Sequence, residues 1–240
     1  MGAMTTDTFF NGRVRVNQDR SGYRFSIDAV LLAYYARPRP DDKIIDLGTG
    51  CGIIPVILAY RHPGITLYGI EVQKTLAEIA TLNAKENRMS DRITIIEKDL
   101  KLLESQMVFG PVDLVVSNPP YRRVRSGRIN SDRQRAIARH EITATLLDVV
   151  QAAHRVLRNS GRLVMIFPAE RIIDLICQMR SSSIEPKHLQ MVYSDIDMGA
   201  TLVLIEGRKG GRPGMKVAPP LTIYHQDGSY TDAVLKMFAP

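Results

Sequence analysis

Apolar residues along this chain form short β-branched runs separated by stretches in which they recur every three or four positions. The runs Lys43–Leu47, Thr66–Ile70, Ile93–Glu97, Val112–Val116 and Arg162–Phe167 are continuous enough to be buried on both faces, which is the habit of parallel-sheet strands. Helical spacing fills the gaps at 53–61, 74–87, 144–158 and 170–180. Ahead of the first run, Ile27, Val30, Leu31 and Tyr34 predict a covering helix that Ser26 caps and Pro38 and Pro40 end. Two further strands, Leu189–Ser194 and Thr201–Glu206, close the series as a hairpin.

Strand and helix alternating in this way predict an α/β fold: a Rossmann-like, doubly wound, mostly parallel seven-stranded sheet with an antiparallel C-terminal hairpin. Residues 23–207 carry that pattern as one domain. Residues 1–22 are a polar segment in which Phe9, Phe10 and the alternation Arg13-Val14-Arg15-Val16 predict a single edge strand, and Met1-Gly2-Ala3 reads as a cloning remnant. Residues 208–240 are a basic extension: a glycine-rich loop over 208–216, then Leu221–Tyr224 and an Asp227-Gly228 turn that predict a short hairpin or strand.

No run is long enough to span a bilayer and none reads as a signal peptide, so a cytoplasmic protein without a membrane partner is expected. Cys51 and Cys177 lie in unlike segments without metal-ligand spacing, so neither a disulfide nor a metal site is expected. The net charge of +7 changes the picture through its placement: seven arginines between Arg122 and Arg139 face one acid, Asp132, leaving the rest of the chain near neutral. A basic loop there suits a polyanionic substrate.

The candidate chemistry sits at strand ends, where open α/β sheets bind ligands. After the first strand, Asp46 leads into Gly48-Thr49-Gly50-Cys51-Gly52, a loop whose glycines let a ligand lie against backbone and whose helix offers free N–H groups. Glu71 ends the second strand about 20 residues on, where an acid can accept from ribose hydroxyls. The spacing departs from the dinucleotide Gly-x-Gly-x-x-Gly pattern. With Asp46 suited to a cationic amino-acid moiety, it favours S-adenosylmethionine over NAD. Asp99 ends the third strand and either takes an adenine amino group, with Leu100 on the ring, or caps a helix; Phe25 and Asp28 lie at the start of the covering helix and can close over a ligand. The fourth strand stops at Asn118-Pro119-Pro120-Tyr121. An amide oxygen and a proline carbonyl there can each accept one hydrogen of a planar NH2, freeing its lone pair, while Tyr121 stacks on the ring.

Together, Asp46–Gly52, Glu71, Asp99 and Asn118–Tyr121 resemble a class I S-adenosylmethionine-dependent methyltransferase of the amino-group type over roughly residues 20–207. Asn-Pro-Pro-Tyr is shared by adenine-N6 and glutamine-N5 methyltransferases. Phe25–Leu32 and Ala138-Arg139-His140-Glu141 are similar to the bacterial family that methylates N6 of the adenine beside the anticodon of valine tRNA. The resemblance implies that Gly48, Thr49, Gly50, Gly52, Glu71 and Asp99 hold the cofactor, with S-adenosylhomocysteine as product, and that Asn118 and Tyr121 act on the base. Arg122, Arg123, Arg125 and Arg128 would meet tRNA phosphates, and His140 and Glu141 either relay a proton or cap the following helix. Three readings stand: a tRNA adenine-N6 methyltransferase, which the arginines favour; a glutamine-N5 methyltransferase acting on a release factor; and an inactive RNA-binding module of the same fold.

Overall fold

Ile44 and Ile45 are neighbours in sequence but belong to separate apolar layers on opposite faces of one sheet, and Leu114 and Val115 or Val164 and Met165 divide in the same way. Side chains alternate faces along a strand, so a continuous β-branched run fills both layers at once. The computed structural model describes residues 4–19, 27–119 and 144–239.

In chain order the elements are β1 (Met4–Phe9), β2 (Val14–Asp19), α1 (Ile27–Ala36), β3 (Lys43–Leu47), α2 (Ile53–Arg61), β4 (Thr66–Glu71), α3 (Lys74–Glu86), β5 (Ile93–Glu97) and β6 (Val112–Ser117). Beyond the next described residue, Ala144, come α4 (Leu146–Val156), β7 (Leu157–Pro168), α5 (Ile172–Ser181), β8 (Ile184–Tyr193), β9 (Ala200–Lys209), β10 (Lys216–Val217), β11 (Leu221–Thr222) and α6 (Asp232–Phe238).

The main sheet runs β10-β8-β9-β7-β6-β3-β4-β5, with β11 also on β8. Strands β5, β4, β3, β6 and β7 are parallel, and β9 lies antiparallel between β7 and β8. The seven expected strands are thus present, and two two-residue strands extend the far edge. The chain winds outward from β3 through β4 to β5 and returns to β6 on the other side of β3. The topological switch point therefore falls between β3 and β6, where a doubly wound sheet opens a crevice at its carboxyl edge.

Several boundaries differ from the sequence pattern for local reasons. β8 begins at Ile184, five residues before the expected Leu189, because a register shift between Pro186 and His188 interrupts the alternation. β7 begins at Leu157, where a helix end was expected: Val112 pairs with Leu157 and Leu114 already pairs with Arg162, so residues 158–161 bulge out around Ser160 at φ 61°. The polar N-terminal segment is a hairpin of β1 and β2 in its own sheet, not one edge strand. Its Phe9, Phe10, Val14 and Val16 are buried in the layer shared by α1 and α2. Arg208 and Lys209, expected in a loop, are the last residues of β9. The tail ends in α6, whose Val234 and Met237 enter the same layer while Arg61 donates to the Met237 and Ala239 carbonyls at 2.8 and 3.0 Å. Among the described residues no helix is long and apolar enough to cross a membrane.

Candidate active site

The glycine loop leaves β3 and folds back onto the end of β4: the N–H groups of Gly48 and Thr49 both donate to the Ile70 carbonyl, at 2.9 and 3.0 Å. Gly48 (φ 74°) and Gly50 (φ 58°) occupy the left-handed region, where a side chain is strained, and a Cβ on either would point into open space. The loop thus offers bare backbone to whatever lies over the sheet edge. Gly69, inside β4, has the opposite role: a Cβ there would stand 2.9 Å from Thr49 Cγ2 and 2.7 Å from Ile95 Cδ1, so its absence lets the loop settle on the strand.

Asp46 is fully buried beneath this loop. Its Oδ2 accepts from the Thr49 hydroxyl at 2.7 Å, whereas Oδ1 is buried with no hydrogen-bond partner among the described residues. Burial, joined by the negative charge of Glu71, pushes its pKa up to about 7, and the Thr49 hydrogen bond offsets only part of that. A buried acid with one unsatisfied oxygen beside an open backbone loop fits a ligand that carries a cationic donor. Glu71 does more than end its strand: Oε2 accepts from the Gly50 N–H at 2.9 Å and Oε1 from the Gln73 N–H at 3.0 Å. A carboxylate accepts about four hydrogen bonds. The Gln73 side-chain amide also reaches Oε1, at 3.5 Å, so Glu71 holds the loop with accepting capacity to spare for about one hydroxyl group, chiefly on Oε2.

Asp99 stands at the end of β5 and caps a short 3-10 turn, its Oδ1 accepting from the Lys101 N–H at 2.9 Å, a role that does not exclude contact of the carboxylate with an adenine amino group; Leu100 is half-buried against the α4 layer. Across the switch point, Asp46 pairs in register with Val116, and the Ser117 hydroxyl donates to the Leu47 carbonyl at 2.8 Å. That bond locks the ends of β3 and β6 together and sets Asn118 and the buried Pro119 immediately beyond it. Asp28 is half-buried in the first turn of α1. Phe25, Pro120, Tyr121, Arg122, Arg123, Arg125, Arg128, His140 and Glu141 lie outside the described residues.

Two contributors carry no motif. Asn83, fully buried on α3, donates through Nδ2 to the Cys51 carbonyl in the glycine loop at 2.8 Å, and Arg155 on α4 donates to the carbonyls of Leu100, Lys101 and Leu103 at 2.9, 3.0 and 3.3 Å. An asparagine four residues before a second one, Asn87, on an otherwise apolar helix face is a weak signal for the first. The second has none, because its targets are backbone atoms.

A parallel sheet in this order, with a glycine loop after the first parallel strand, an acid ending the second and Asn-Pro across the switch point, defines a class I methyltransferase fold. Residues 26–174 match the model of the methyltransferase small domain, and the chain belongs to that family. It is 39% identical over 178 residues to a Porphyromonas gingivalis protein named tRNA1(Val) (adenine(37)-N6)-methyltransferase, covering 72% of this chain and 69% of the relative. An Aeromonas hydrophila protein of the same name is 26% identical over 226 residues, 94% of this chain and 92% of the relative. Among solved structures, a predicted O-methyltransferase from Agrobacterium tumefaciens superposes with a TM-score of 0.71 at 22% identity, covering 88% of this chain and 94% of that one, a likeness of fold.

Proposed function

We propose that this protein transfers the methyl group of S-adenosylmethionine to the exocyclic N6 amine of adenine 37 in valine tRNA, releasing S-adenosylhomocysteine. The observation that carries the reading is the pairing of two strand ends. The bare glycine loop with Asp46 and Glu71 follows β3, and Asn118 follows β6 on the adjacent strand. The names of relatives aligned over most of their own length support the same substrate. Gly48, Thr49, Gly50 and Gly52 would take the cofactor against backbone, Asp46 its ammonium, Glu71 its ribose, and Asp99 with Leu100 its adenine; Phe25 and Asp28 would close over it. Bound S-adenosylmethionine supplies a methyl group already activated on a sulfonium.

The chain's residues therefore position the amine and exclude water, and no strong base is required. The Asn118 side-chain oxygen and the Pro119 carbonyl each accept one amine hydrogen, Pro120 keeps the turn rigid and Tyr121 stacks on the base. An adenine in structured RNA must leave its stack to reach a pocket at a strand end, and Arg122, Arg123, Arg125 and Arg128 hold the flanking phosphates. Residues 23–207 form the catalytic unit of a cytoplasmic enzyme, flanked by 1–22 and 208–240. Incubation with labelled cofactor and total tRNA, followed by mass spectrometry of nucleosides, is expected to show N6-methyladenosine in valine tRNA. Label on a glutamine of a release factor, with none in tRNA, overturns the proposal.

A further inference from the structure

At the edge of the sheet opposite the glycine loop, the starts of β3, β6 and β7 and the end of β9 surround a cavity lined by Arg39, Asp42, Asp113, Arg158, Arg162 and Arg208, with Ser160 at its rim. The charges in it are unevenly matched. Arg162 is fully engaged: it reaches Asp42 and Glu206, each at 3.3 Å, and donates to the carbonyls of Ala36 and Arg37 at 3.1 and 3.2 Å. Arg158 is paired with Asp113, which also accepts from the Lys43 N–H at 2.9 Å. Both carboxylates lining the cavity are therefore already committed.

Arg39 and Arg208 are left over. Neither guanidinium has a hydrogen-bond or carboxylate partner among the described residues, and the Nε of Arg208 is buried without an acceptor. Arg208 also lies directly across the β7–β9 ladder from Arg162, and on its other side across the β8–β9 ladder from Glu185, whose carboxylate is held by Arg180 at 3.2 Å. Like charges directly opposite each other are destabilising, and the nearby carboxylates of Glu185 and Glu206 are engaged by Arg180 and Arg162 rather than by Arg208. Two fork-shaped cations without an ion-pair partner among the described residues, and a nearby hydroxyl, match a tetrahedral dianion better than chloride or a single carboxylate.

We propose that this cavity binds a phosphate dianion, as the free ion or as a monoester, between Arg39 and Arg208. β3 separates it from the glycine loop by about 15 Å at the usual rise of a strand, so the site is distinct from that of methyl transfer. An anion there joins the loop before β3 to the antiparallel seam of β7 and β9 and neutralises the cross-strand arginines.

Calorimetric and thermal-unfolding titrations of the full chain with inorganic phosphate, against chloride at matched ionic strength, test the assignment. The wild type is expected to bind phosphate and unfold at a higher temperature in it. Arg39→Gln and Arg208→Gln are each expected to weaken binding about 10-fold or more, the loss of one charge-assisted contact, with S-adenosylhomocysteine affinity unchanged. Tighter binding of uridine 5′-monophosphate than of phosphate assigns the site to a monoester; the reverse assigns it to the free ion. Equal responses to phosphate and chloride, or a phosphate response that persists in Arg39→Gln, overturn the proposal. Arg39 is exposed in a loop, so that variant decides the matter even where Arg208→Gln fails to fold.

Discussion

Asn83 holds Asn17 as a neighbouring strand would: its Oδ1 accepts from the Asn17 N–H at 2.8 Å and its Nδ2 donates to the Asn17 carbonyl at 3.0 Å. Four residues on, Asn87 does the same to Arg15, at 2.9 and 2.6 Å. Two primary amides, one on α3 and one at its C-terminal cap, thereby pair with alternate peptide units of β2. Because Asn83 Nδ2 also reaches the Cys51 carbonyl, the N-terminal hairpin and the glycine loop share one anchor. Asn83→Ala leaves buried groups of both segments without partners, each costing about 1–3 kcal/mol. Denaturant unfolding is expected to show a loss of about 3 kcal/mol, and calorimetry a weaker affinity for S-adenosylhomocysteine. An unchanged midpoint and affinity would falsify the anchor.

Gly69 is the packing counterpart of that anchor. Its Cβ would meet Thr49 Oγ1 at 3.0 Å as well as Cγ2, and Thr49 is the donor to Asp46 Oδ2. Gly69→Ala is therefore expected to displace the loop and raise the dissociation constant for cofactor about 10-fold or more while costing about 1–3 kcal/mol of stability by overpacking. Retention of wild-type affinity by Gly69→Ala means that the loop tolerates the displacement and that the close approach has no bearing on binding.

Much of this was legible in the sequence, and the part that was not has a physical reason. The strands around Ile44, Ile70 and Val115 announced themselves because burial on both faces demands unbroken apolar runs, whereas β5, equally apolar in sequence, is an edge strand in which only Ile93 is buried. The loop and Asn118 were legible because glycine at positive φ and Asn-Pro at a strand end leave a composition trace. β1 was missed: Met4–Phe9 is polar on alternate faces, and its place is set by pairing with β2, which Asn83 and Asn87 in turn hold from 66 and 72 residues away. α6 was missed because seven residues make under two turns, and its amphipathic signal exists only against the layer it enters.

Asp46 sets a pH dependence whose sign follows from burial. Its pKa is about 7 in the folded protein against an ordinary 3.8. Between those values the native state keeps a proton that the unfolded chain releases, so stability present below about pH 4 is lost as pH rises to about 7 and then levels. The whole change is about 4 kcal/mol at most. Asp46→Asn, which does not titrate, is expected to remove this slope in urea unfolding and to be the more stable protein at pH 8. For the wild type, S-adenosylhomocysteine affinity is expected to rise about 10-fold per pH unit below about 7, as the ammonium requires the ionised acid. A flat affinity profile from pH 5.5 to 8 removes Asp46 from the cofactor contact.

The arginine-rich stretch from Arg122 to Arg139 predicts a salt dependence. Neutralised phosphates release condensed counterions, so the slope of log affinity against log salt counts the contacts. Changing Arg122, Arg123 and Arg125 to Ala is expected to flatten that slope for valine tRNA by about 2 and to leave cofactor affinity in place. Equal tRNA affinity and slope in the triple variant would move the substrate away from RNA and toward a protein glutamine.

Asn118→Ala tests the chemistry itself. Asn118 follows the Ser117–Leu47 lock at the end of β6, one strand from the glycine loop. Its amide oxygen is proposed to accept from the target amine chiefly as that nitrogen becomes tetrahedral. An interaction that strengthens only on the way to the transition state lowers kcat when removed and leaves substrate binding nearly intact. The expected loss is about 10²- to 10³-fold in kcat, the range for a single positioned hydrogen-bonding group, with S-adenosylhomocysteine affinity unchanged. Tyr121→Phe keeps the stacking face and should be mild, whereas Tyr121→Ala removes it and should be severe. Single-turnover methylation of valine tRNA, which isolates the chemical step from product release, is the measurement. If Asn118→Ala methylates at the wild-type rate, the residues after β6 are a rigid turn, and the acceptor amine is held by other groups.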